Sequence, residues 1–383
     1  MSESSPLPPI PFNRPAVAGR EREYMEQALG SGHLSGDGAF TARCHAMLQA
    51  ITGAPKVLLT TSCTHALEMA MLLLGLAPGD EVICPAFTFV SSVNAFVLRG
   101  ARPVFVDIRP DTLNIDERLV EAAITPRTKA LLLVHYAGVG CEMPALMAIA
   151  ERHGLAVVED NAHGLFGHYR GQALGSFGAM STLSFHETKN LTCGEGGALV
   201  LNDGALVERA EIIREKGTNR SRFYRGQIDK YTWVDVGSSY LPSDLLAAYL
   251  CAQLEARELV QARRRAIWDG YDRALAAWAD ASGIGRPQVP AHCSHPSHIY
   301  YLLLPTLEAR TRLLAELRRA LILATFHYQP LHLSDMGRLF GGRAGQCPVT
   351  EDVADRLVRL PVYFDLSAAD QARVVEALGA FRV

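Results

Sequence analysis

Hydrophobic residues between positions 52 and 202 form short β-prone runs, separated by stretches with the spacing of amphipathic helices. These runs predict strands at residues 56–60, 81–84, 101–107, 130–135, 156–159, 180–185 and 197–201. The stretches between them predict helices at residues 64–74, 91–99, 115–123 and 144–153. The alternation indicates an α/β fold, with a mostly parallel central sheet and helices on both faces. A ligand of such a sheet is expected outside the carboxyl ends of its strands.

The pattern changes on both sides of this region. Residues 20–30 predict a short helix, and residues 218–240 are polar and aromatic with little periodicity. Ser243 is a good N-cap for a long helix that leads into a second alternation of strands and helices. Further helices are predicted at 205–215, 243–279, 310–321 and 350–358, and further strands at 299–304 and 324–326. We therefore divide the chain into an N-terminal tail (residues 1–19), a large domain (20–255) and a smaller α+β C-terminal domain (256–383).

Composition narrows the possible partners. The chain has 383 residues, 49% of them hydrophobic and 20% charged, which is typical of a globular protein. A net charge of −3, without blocks of lysine and arginine, argues against nucleic acid as the main partner. The longest apolar run, residues 69–77, is too short to span a membrane. The acidic, proline-rich start predicts a disordered tail and lacks the features of a signal peptide.

The spacing of the cysteines bears on metal binding, on disulfides and on the cellular location. All 8 are scattered, and no two form a Cys-x-x-Cys pair. Neither a metal site nor a disulfide framework is predicted from that spacing, and a reducing cytoplasm is the expected location.

One lysine lies where a strand is predicted to end. The apolar approach through Phe185 predicts a strand that ends near His186, and Lys189 follows it. Behind the lysine, Gly-Glu-Gly-Gly at residues 194–197 would leave room for a cofactor. Such a lysine forms a Schiff base when desolvation or a nearby cation lowers its pKa. For this stretch alone, the commoner alternative is a solvated surface lysine.

Two other strand ends carry residues suited to a flat, phosphorylated ligand. Cys63 and Thr64 open a predicted helix, where free N–H groups can bind a phosphate. The alternative there is N-capping by Ser62, and the spacing of a P-loop is absent. Phe87 and Phe89 follow the next strand. An aromatic ring at that place can stack on a planar cofactor, although core packing is the commoner role.

A carboxylate and a histidine follow the strand at residues 156–159. Facing a pyridine nitrogen, Asp160 would keep that nitrogen protonated and make the ring an electron sink. His163 could reach a neighbouring ring oxygen. The alternatives are a helix cap for Asp160 and a surface position for His163. A phosphate site, a stacking ring, a pyridinium partner and a Schiff-base lysine together describe pyridoxal 5'-phosphate.

A dinucleotide fingerprint is a competing interpretation. Gly138 and Gly140 follow a predicted strand, and Asp160 lies about twenty residues further on. The third glycine position is Met143, and Pro144 begins the next helix. Since a lone Gly-x-Gly is a weak motif, a nicotinamide enzyme is the minor alternative.

These motifs in this order resemble the fold type I pyridoxal phosphate aminotransferases of the DegT/DnrJ/StrS type, which act on nucleotide-linked keto sugars. The resemblance rests on the Ser-x-Thr turn at residues 62–64, on residues 159–163, on residues 184–189 and on the glycines at 194–197. It extends over nearly the whole chain. It is closest to the branch that forms dTDP-4-amino-4,6-dideoxygalactose, through residues 31–38, 184–190, 214–221, 225–233 and 237–241. A dehydratase branch carries histidine in place of the lysine, so Lys189 favours transamination.

The resemblance implies a role for each site residue. Lys189 would form the Schiff base, Asp160 would pair with the pyridine nitrogen and His163 would face the phenolic oxygen. Residues implied to bind the rest of the cofactor are Cys63, Thr64 and Ser184 at the phosphate, Phe89 on the ring, and Ser239 from the partner subunit, where many relatives have asparagine. Since the site is shared across subunits in this family, the resemblance also implies a homodimer. Candidate sugar- or diphosphate-facing residues, each equally compatible with an ordinary surface role, are His186, Arg220, Arg225, Lys230, Tyr231 and His327.

The implied reaction transfers the amino group of L-glutamate to dTDP-4-dehydro-6-deoxy-D-glucose. Its products would be dTDP-4-amino-4,6-dideoxy-D-galactose and 2-oxoglutarate, for enterobacterial common antigen or another surface polysaccharide. One alternative is a sibling aminotransferase with another stereochemistry or position of amination. Another is a catalytically silent ligand-binding or regulatory protein, against which Lys189, Asp160 and His163 together argue. The nucleotide and the sugar rest on the resemblance alone.

Overall fold

The computed structural model describes residues 8–383. Its strands are β1 (Lys56–Thr60), β2 (Glu81–Pro85), β3 (Arg102–Val106), β4 (Thr128–Val134), β5 (Ala156–Asp160), β6 (His168–Tyr169), β7 (Gln172–Ala173), β8 (Met180–Ser184), β9 (Gly197–Leu201), β10 (Cys293–Ser294), β11 (Tyr301–Leu303) and β12 (Leu357–Arg359). All seven strands predicted between residues 52 and 202 are present, with ends that differ by one or two residues.

Helices cover most of the remaining chain. They are α1 (Glu21–Gly30), α2 (Ala39–Thr52), α3 (Cys63–Leu73), α4 (Val90–Val97), α5 (Glu117–Val120), α6 (Met143–His153), α7 (Val207–Arg214), α8 (Arg220–Tyr224), α9 (Asp244–Glu255), α10 (Arg257–Ala281), α11 (Leu307–Arg319), α12 (Asp335–Leu339), α13 (Pro348–Arg356) and α14 (Ala368–Ala380). No helix in this described part of the chain is both long and apolar enough to cross a bilayer.

A seven-stranded sheet forms the centre of the molecule, in the order β1-β9-β8-β5-β4-β2-β3. Six of its strands are parallel, and β9 runs antiparallel between β1 and β8. The prediction of a mostly parallel sheet in an α/β fold is therefore confirmed. Because the parallel strands all end at one edge, Thr60, Pro85, Asp160 and Ser184 lie along that edge.

Both faces of this sheet are covered by helices. In β1, Leu58 packs against the side that carries α3 and α4, whereas Val57 and Leu59 pack against the side that carries α2 and α9. Alternate residues of β9 divide in the same way. Burial on both faces explains why these strands are almost continuous hydrophobic runs in the sequence.

The C-terminal part differs from the prediction in three places. The long helix predicted at 243–279 is two helices, α9 and α10, separated at Ala256. The strand predicted at 324–326 is only a single bridge from Thr325 to Arg359. The helix predicted to run to residue 358 ends at Arg356, where β12 begins and pairs with β11. The domain boundary predicted after residue 255 falls at the α9–α10 break, and the division into two domains stays a prediction.

Residues from position 10 onward, which we assigned to the tail, are packed. Ile10 is buried in the hydrophobic cluster of α10, α11 and α14, and its backbone bonds with Leu321 and Leu323. The carbonyl of Ala16 accepts hydrogen bonds from Tyr249 and Gln253 of α9. Residues 10–19 thus supply contacts to both halves of the chain, and the disorder predicted for the proline-rich start concerned residues 1–9 alone. Residues 1–7 lie outside the described part.

Candidate active site

Lys189 lies in the turn that follows β8. Phe185 anchors this turn, since its N–H donates to Gly196 and its carbonyl accepts from Cys193, at 2.8 and 3.0 Å. The N–H of Lys189 donates to the carbonyl of His186 at 2.9 Å. Burial lowers the pKa of Lys189 to about 8, although the charges of Cys63 and Asp160 oppose the change. About a tenth of the amine is therefore neutral, and so nucleophilic, at pH 7, far more than for an ordinary lysine.

Asn190 ties the lysine turn to the C-terminal part of the chain. Its side-chain nitrogen donates to the carbonyl of Pro296 at 2.7 Å and to Gln261 of α10 at 2.9 Å. Its side-chain oxygen therefore accepts a hydrogen bond from Nδ1 of His298, at 2.8 Å. These contacts fix the direction from which Lys189 enters the site.

Asp160, the last residue of β5, is buried beside β8. Its Oδ2 accepts a hydrogen bond from Ser92 at 2.7 Å, and its Oδ1 accepts one from the N–H of Ala162 at 3.2 Å. The hydroxyl of Thr88 lies 2.9 Å from that of Ser92, which extends the chain of hydrogen bonds. Burial raises the pKa of Asp160, while the two hydrogen bonds and the charge of Lys189 lower it. A protonated ring nitrogen beside this carboxylate would offset the free-energy cost of burying its negative charge.

Glu159, the neighbouring acid, has a structural role. It is completely buried and accepts hydrogen bonds from the N–H groups of Gly175, Phe177 and Gly178, at 2.8 to 2.9 Å. Nε2 of His135 lies 2.8 Å from the same carboxylate. These bonds hold the end of β5 rigid, and thereby the backbone that carries Asp160.

Three histidines and one tyrosine line the side of the site that faces the C-terminal part. The ring of His163 lies 4.7 Å from that of His298 and 6.0 Å from that of His327. Nδ1 of His327 is 3.0 Å from the hydroxyl of Tyr136. Burial lowers the pKa of all three histidines well below the usual value, so they are neutral. Nδ1 of His163 is buried and has no hydrogen-bond partner within residues 8–383.

The start of α3 offers unpaired backbone donors to a phosphate. The hydroxyl of Ser62 accepts from the N–H of His65, and the Ser62 carbonyl accepts from that of Ala66. The N–H groups of Cys63 and Thr64 are left without an intrahelical acceptor. Gly197 packs so closely here that an added Cβ would lie 2.4 Å from the nitrogen of Cys63. Since Gly197 also pairs with Ser184, the three phosphate candidates share one edge of the sheet.

The residues present fit pyridoxal 5'-phosphate. The start of α3 supplies N–H groups that can donate hydrogen bonds to a phosphate, and Asp160 supplies a carboxylate. Nδ1 of His163 has no partner and could form a hydrogen bond with a polar group of the cofactor. Phe89 is 55% exposed, whereas Phe87 is 1% exposed and packs on Tyr136. Phe89 is therefore the ring that remains available for stacking.

The remaining substrate candidates separate into two groups. His327 lies among the site histidines, and His186 lies in the lysine turn, where it contacts Thr188. Arg225 binds Glu211, which also binds Lys56 at the opposite end of β1 from the site. Within residues 8–383, no hydrogen bond, ion pair or ring contact joins Lys189, Asp160 or His163 to Arg220, Arg225, Lys230, Tyr231 or Ser239. The roles of those five residues therefore stay predictions.

Sequence analysis missed three residues that the structure brings to the site. Ser92 follows Thr88 by one helical turn, a spacing that could have indicated a shared face. Arg359 interrupts the apolar run of β12 and could have been noticed for that reason. His298 had no signal in the sequence. Gly138, the start of the suspected dinucleotide motif, packs on Pro296 and the carbonyl of His163, which leaves no space for a pyrophosphate.

Comparisons with known proteins agree with this geometry. Residues 15–379 match the model of the DegT/DnrJ/EryC1/StrS aminotransferase family. An uncharacterized protein of Methanocaldococcus jannaschii is 33% identical, over 99% of this chain and 98% of its own. The solved structure of DesV from S. venezuelae, in complex with a ketimine intermediate, is 32% identical with a TM-score of 0.89, over 98% and 100% of the two chains. A Streptococcus pneumoniae protein solved in a PMP form is 28% identical with a TM-score of 0.89, over 97% and 98%.

Proposed function

We propose that this chain, which belongs to the DegT/DnrJ/EryC1/StrS aminotransferase family, aminates C4 of dTDP-4-dehydro-6-deoxy-D-glucose. The amino donor is L-glutamate, and the products are dTDP-4-amino-4,6-dideoxy-D-galactose and 2-oxoglutarate. The fold type, the sugar aminotransferase activity and the use of pyridoxal 5'-phosphate follow from family membership and from the solved relatives. The nucleotide, the sugar and its stereochemistry are our proposal, and they rest on the sequence motifs of that branch.

The observation that carries the proposal is a desolvated amine beside a buried carboxylate at one edge of the sheet. Lys189 follows β8, and Asp160 ends β5, the strand that pairs with β8. Asp160 pairs with Thr182 of β8, so the carboxylate and the lysine turn belong to neighbouring strand ends, and the charge of each group acts on the pKa of the other. The start of α3 lies along the same edge, where it can bind the phosphate.

When bound, the cofactor would supply an electron sink for the bond that breaks at the reacting carbon. Lys189 Nζ would hold the cofactor, and its released amine would take a proton from the α-carbon of the donor. Asp160 would keep the ring nitrogen protonated, and Ser92 orients the carboxylate. His163, which is neutral and has a ring nitrogen without a partner, would face the phenolic oxygen. The same groups act in reverse order on the keto sugar.

The proposed assembly is a homodimer with shared active sites. The segment between α8 and α9 exposes large apolar side chains, among them Trp233, which is 76% exposed, and Tyr231, Val234 and Val236. A second copy would cover this surface and could bring Ser239 and the basic residues of the segment toward its partner's cofactor. Free cysteines throughout the described residues fit the proposed cytoplasmic location.

One reaction tests the proposal. The purified protein is incubated with pyridoxal 5'-phosphate, L-glutamate and dTDP-4-dehydro-6-deoxy-D-glucose, and the C4 proton couplings of the product are read by NMR. Small couplings at H4 indicate an axial amine and support the galacto product. Large couplings indicate an equatorial amine and overturn the stereochemistry, and absence of an amino sugar overturns the substrate.

Two variants test whether the measured turnover depends on Lys189. Lys189→Ala should lower turnover on the order of 10³-fold or more, because the base and the covalent attachment are lost together. Lys129→Ala changes an exposed lysine of β4 and should leave turnover intact. Near-normal turnover by Lys189→Ala would remove this lysine from the reaction.

A further inference from the structure

A strained segment of the C-terminal part lies against the lysine turn. Ser297 is 1% exposed and has a φ of 53°, in the left-handed region that residues other than glycine seldom adopt. Its neighbours Pro296 and His298 are buried as well. Strain of this kind persists where the surrounding contacts over-determine the backbone, and it is frequent beside functional residues. The contacts on both sides of Ser297 show what the strained conformation achieves.

Pro296 and His298 hold the side chain of Asn190 from two directions. The carbonyl of Pro296 accepts a hydrogen bond from the side-chain nitrogen of Asn190 at 2.7 Å, and a longer one from Gln261 at 3.3 Å. Nδ1 of His298 donates to the side-chain oxygen of Asn190 at 2.8 Å. Because the two bonds use both ends of one amide, this amide cannot rotate without breaking one of them. Asn190 follows Lys189 directly, so the backbone of the lysine is fixed through its neighbour.

The same segment also contacts the backbone and the ring of His163. Pro296 packs so closely on Gly138 that an added Cβ there would lie 2.3 Å from the proline and 2.7 Å from the carbonyl oxygen of His163. The ring of His298 lies 4.7 Å from that of His163. Arg264 of α10 donates to the carbonyl of His298 at 2.8 Å, which holds the segment against the site. One short segment therefore touches both the lysine turn and a histidine of the site.

The other side of the lysine turn is held less firmly. There the side chain of Asn13 donates to the carbonyl of Glu187 at 3.0 Å, in an exposed hydrogen bond. The hydrogen bonds of Asn190 are more buried, and such bonds are costly to leave unmade. The position of the turn therefore depends mainly on the contacts that Asn190 makes.

We infer that His298 is a positioning residue for Lys189, and that its Nδ1–H group, acting through Asn190, aims the lysine amine into the site. The inference rests on the role proposed for Lys189, but not on the identity of the sugar. Loss of the Nδ1–H group would release the side chain of Asn190 and let the amine move toward water. The amine would then regain a more ordinary pKa, and it would react more slowly because it is less well aimed.

Matched variants separate the hydrogen bond from the packing of the ring. His298→Asn keeps an N–H group near the position of Nδ1, whereas His298→Gln places its amide nearer to the position of Nε2. His298→Phe keeps a ring beside His163 but has no donor. Asn190→Ala removes the acceptor. The control is His153→Phe, which changes an exposed histidine of α6.

The first readout is the reactivity of Lys189 in the cofactor-free protein. The chain has five lysines, at positions 56, 129, 189, 216 and 230, so each can be followed in its own peptide by mass spectrometry. Labelling with acetic anhydride at a series of pH values gives the pKa of each amine, because only the unprotonated amine reacts. Lys129, which is exposed, should behave alike in every variant.

The variants should fall into two groups in this labelling. In wild type, His153→Phe and His298→Asn, the pKa of Lys189 should be about 8. In His298→Phe, His298→Gln and Asn190→Ala it should move upward, toward the ordinary value of 10.5. A double variant, Asn190→Ala with His298→Phe, should be no worse than either single variant, since both changes break the same bond.

The second readout is the first half-reaction of the cofactor-loaded enzyme, in which L-glutamate converts the cofactor to its amino form. His298→Phe and His298→Gln should lower its rate constant roughly 10- to 10²-fold, as expected when a reacting group is misplaced by about 1 Å. The half-saturating concentration of L-glutamate should stay within about threefold of wild type, because donor binding is not changed. His298→Asn should recover most of the rate.

Three results would overturn the inference. The first is an equal pKa of Lys189 in wild type and His298→Phe, even if the variant is less stable, because the histidine would then have a structural role only. The second is an equal defect in His298→Asn and His298→Gln, and the third is additive defects in the double variant. Variants that behave as expected in a protein that aminates no keto sugar would overturn the proposed function alone, since the labelling uses neither cofactor nor sugar.

Discussion

Asp107 connects the central sheet with the element that carries Arg359. It follows β3 and is buried, and its carboxylate caps α13, which lies more than two hundred residues further along the chain. The N–H groups of Val349 and Thr350 donate to it at 2.8 Å, and so does the hydroxyl of Thr350. Because α13 leads directly into β12, we predict that Asp107→Ala destabilises the attachment of both elements to the central sheet.

The magnitude follows from the bonds that are lost. A missing N-cap side chain costs about 1 kcal/mol and up to about 2. Thr350 is completely buried, so its donors would lose their acceptor without access to water. Each unsatisfied buried donor adds about 1–3 kcal/mol, reduced by relaxation of the helix end. We expect a total loss of about 2–4 kcal/mol in the free energy of unfolding for Asp107→Ala, and a smaller loss for Asp107→Asn, which keeps one acceptor.

Urea unfolding, followed by fluorescence of Trp268 and Trp278 in α10, measures this loss near the affected element. Asp365→Ala is the matched control, since Asp365 is exposed and should stay within about 0.5 kcal/mol of wild type. A loss below about 0.5 kcal/mol would refute the idea that this carboxylate fixes α13 on the sheet.

Two further predictions concern the catalytic residues. Ser92→Ala removes a hydrogen bond to Asp160 that lowers the pKa of this carboxyl. The variant should therefore retain the cofactor roughly tenfold or more weakly in a dialysis assay, and Ser282→Ala is the control. Lys189→Met should make the cofactor-free protein more stable at pH 7 by up to about 3 kcal/mol, because the folded pKa of about 8 lies below the unfolded value of 10.5. The stability difference between Lys189→Met and wild type should shrink as the pH rises from about 8 to about 10.5, because wild type gains stability over that range. A stability difference that does not depend on pH would contradict the lowered pKa of Lys189.

Sequence alone predicted the parts of the site that follow from local pattern. Cys63, Phe89, Asp160 and Lys189 each come directly after a hydrophobic run, and parallel strands end at one edge, so their convergence could be foreseen. The antiparallel direction of β9 could not, because its hydrophobic run resembles those of its parallel neighbours. The break between α9 and α10 was also hidden, since no glycine or proline marks Ala256.

Contacts between distant segments account for what sequence could not show. Asp107 and Asp244 are both helix-capping acids, but each caps a helix far away in the chain, α13 and α2 respectively. Capping is recognised in a sequence by adjacency, and neither residue is adjacent to the helix it caps. Arg359 could have been noticed as a charge within an apolar run, but the direction of its side chain could not be predicted, because it follows from the pairing of β11 with β12.

The charge balance of the site explains why its ligands should be anionic. The three histidines are neutral, because burial lowers the pKa of each one. The charges that act on them come from Lys189 and from two buried arginines, Arg264 and Arg359. When Lys189 is protonated, these cations are opposed at the site by the carboxylate of Asp160, whose own pKa is raised by burial. Because an excess of buried positive charge is costly, we expect anionic ligands, such as a phosphate at the start of α3, to stabilise this side of the molecule.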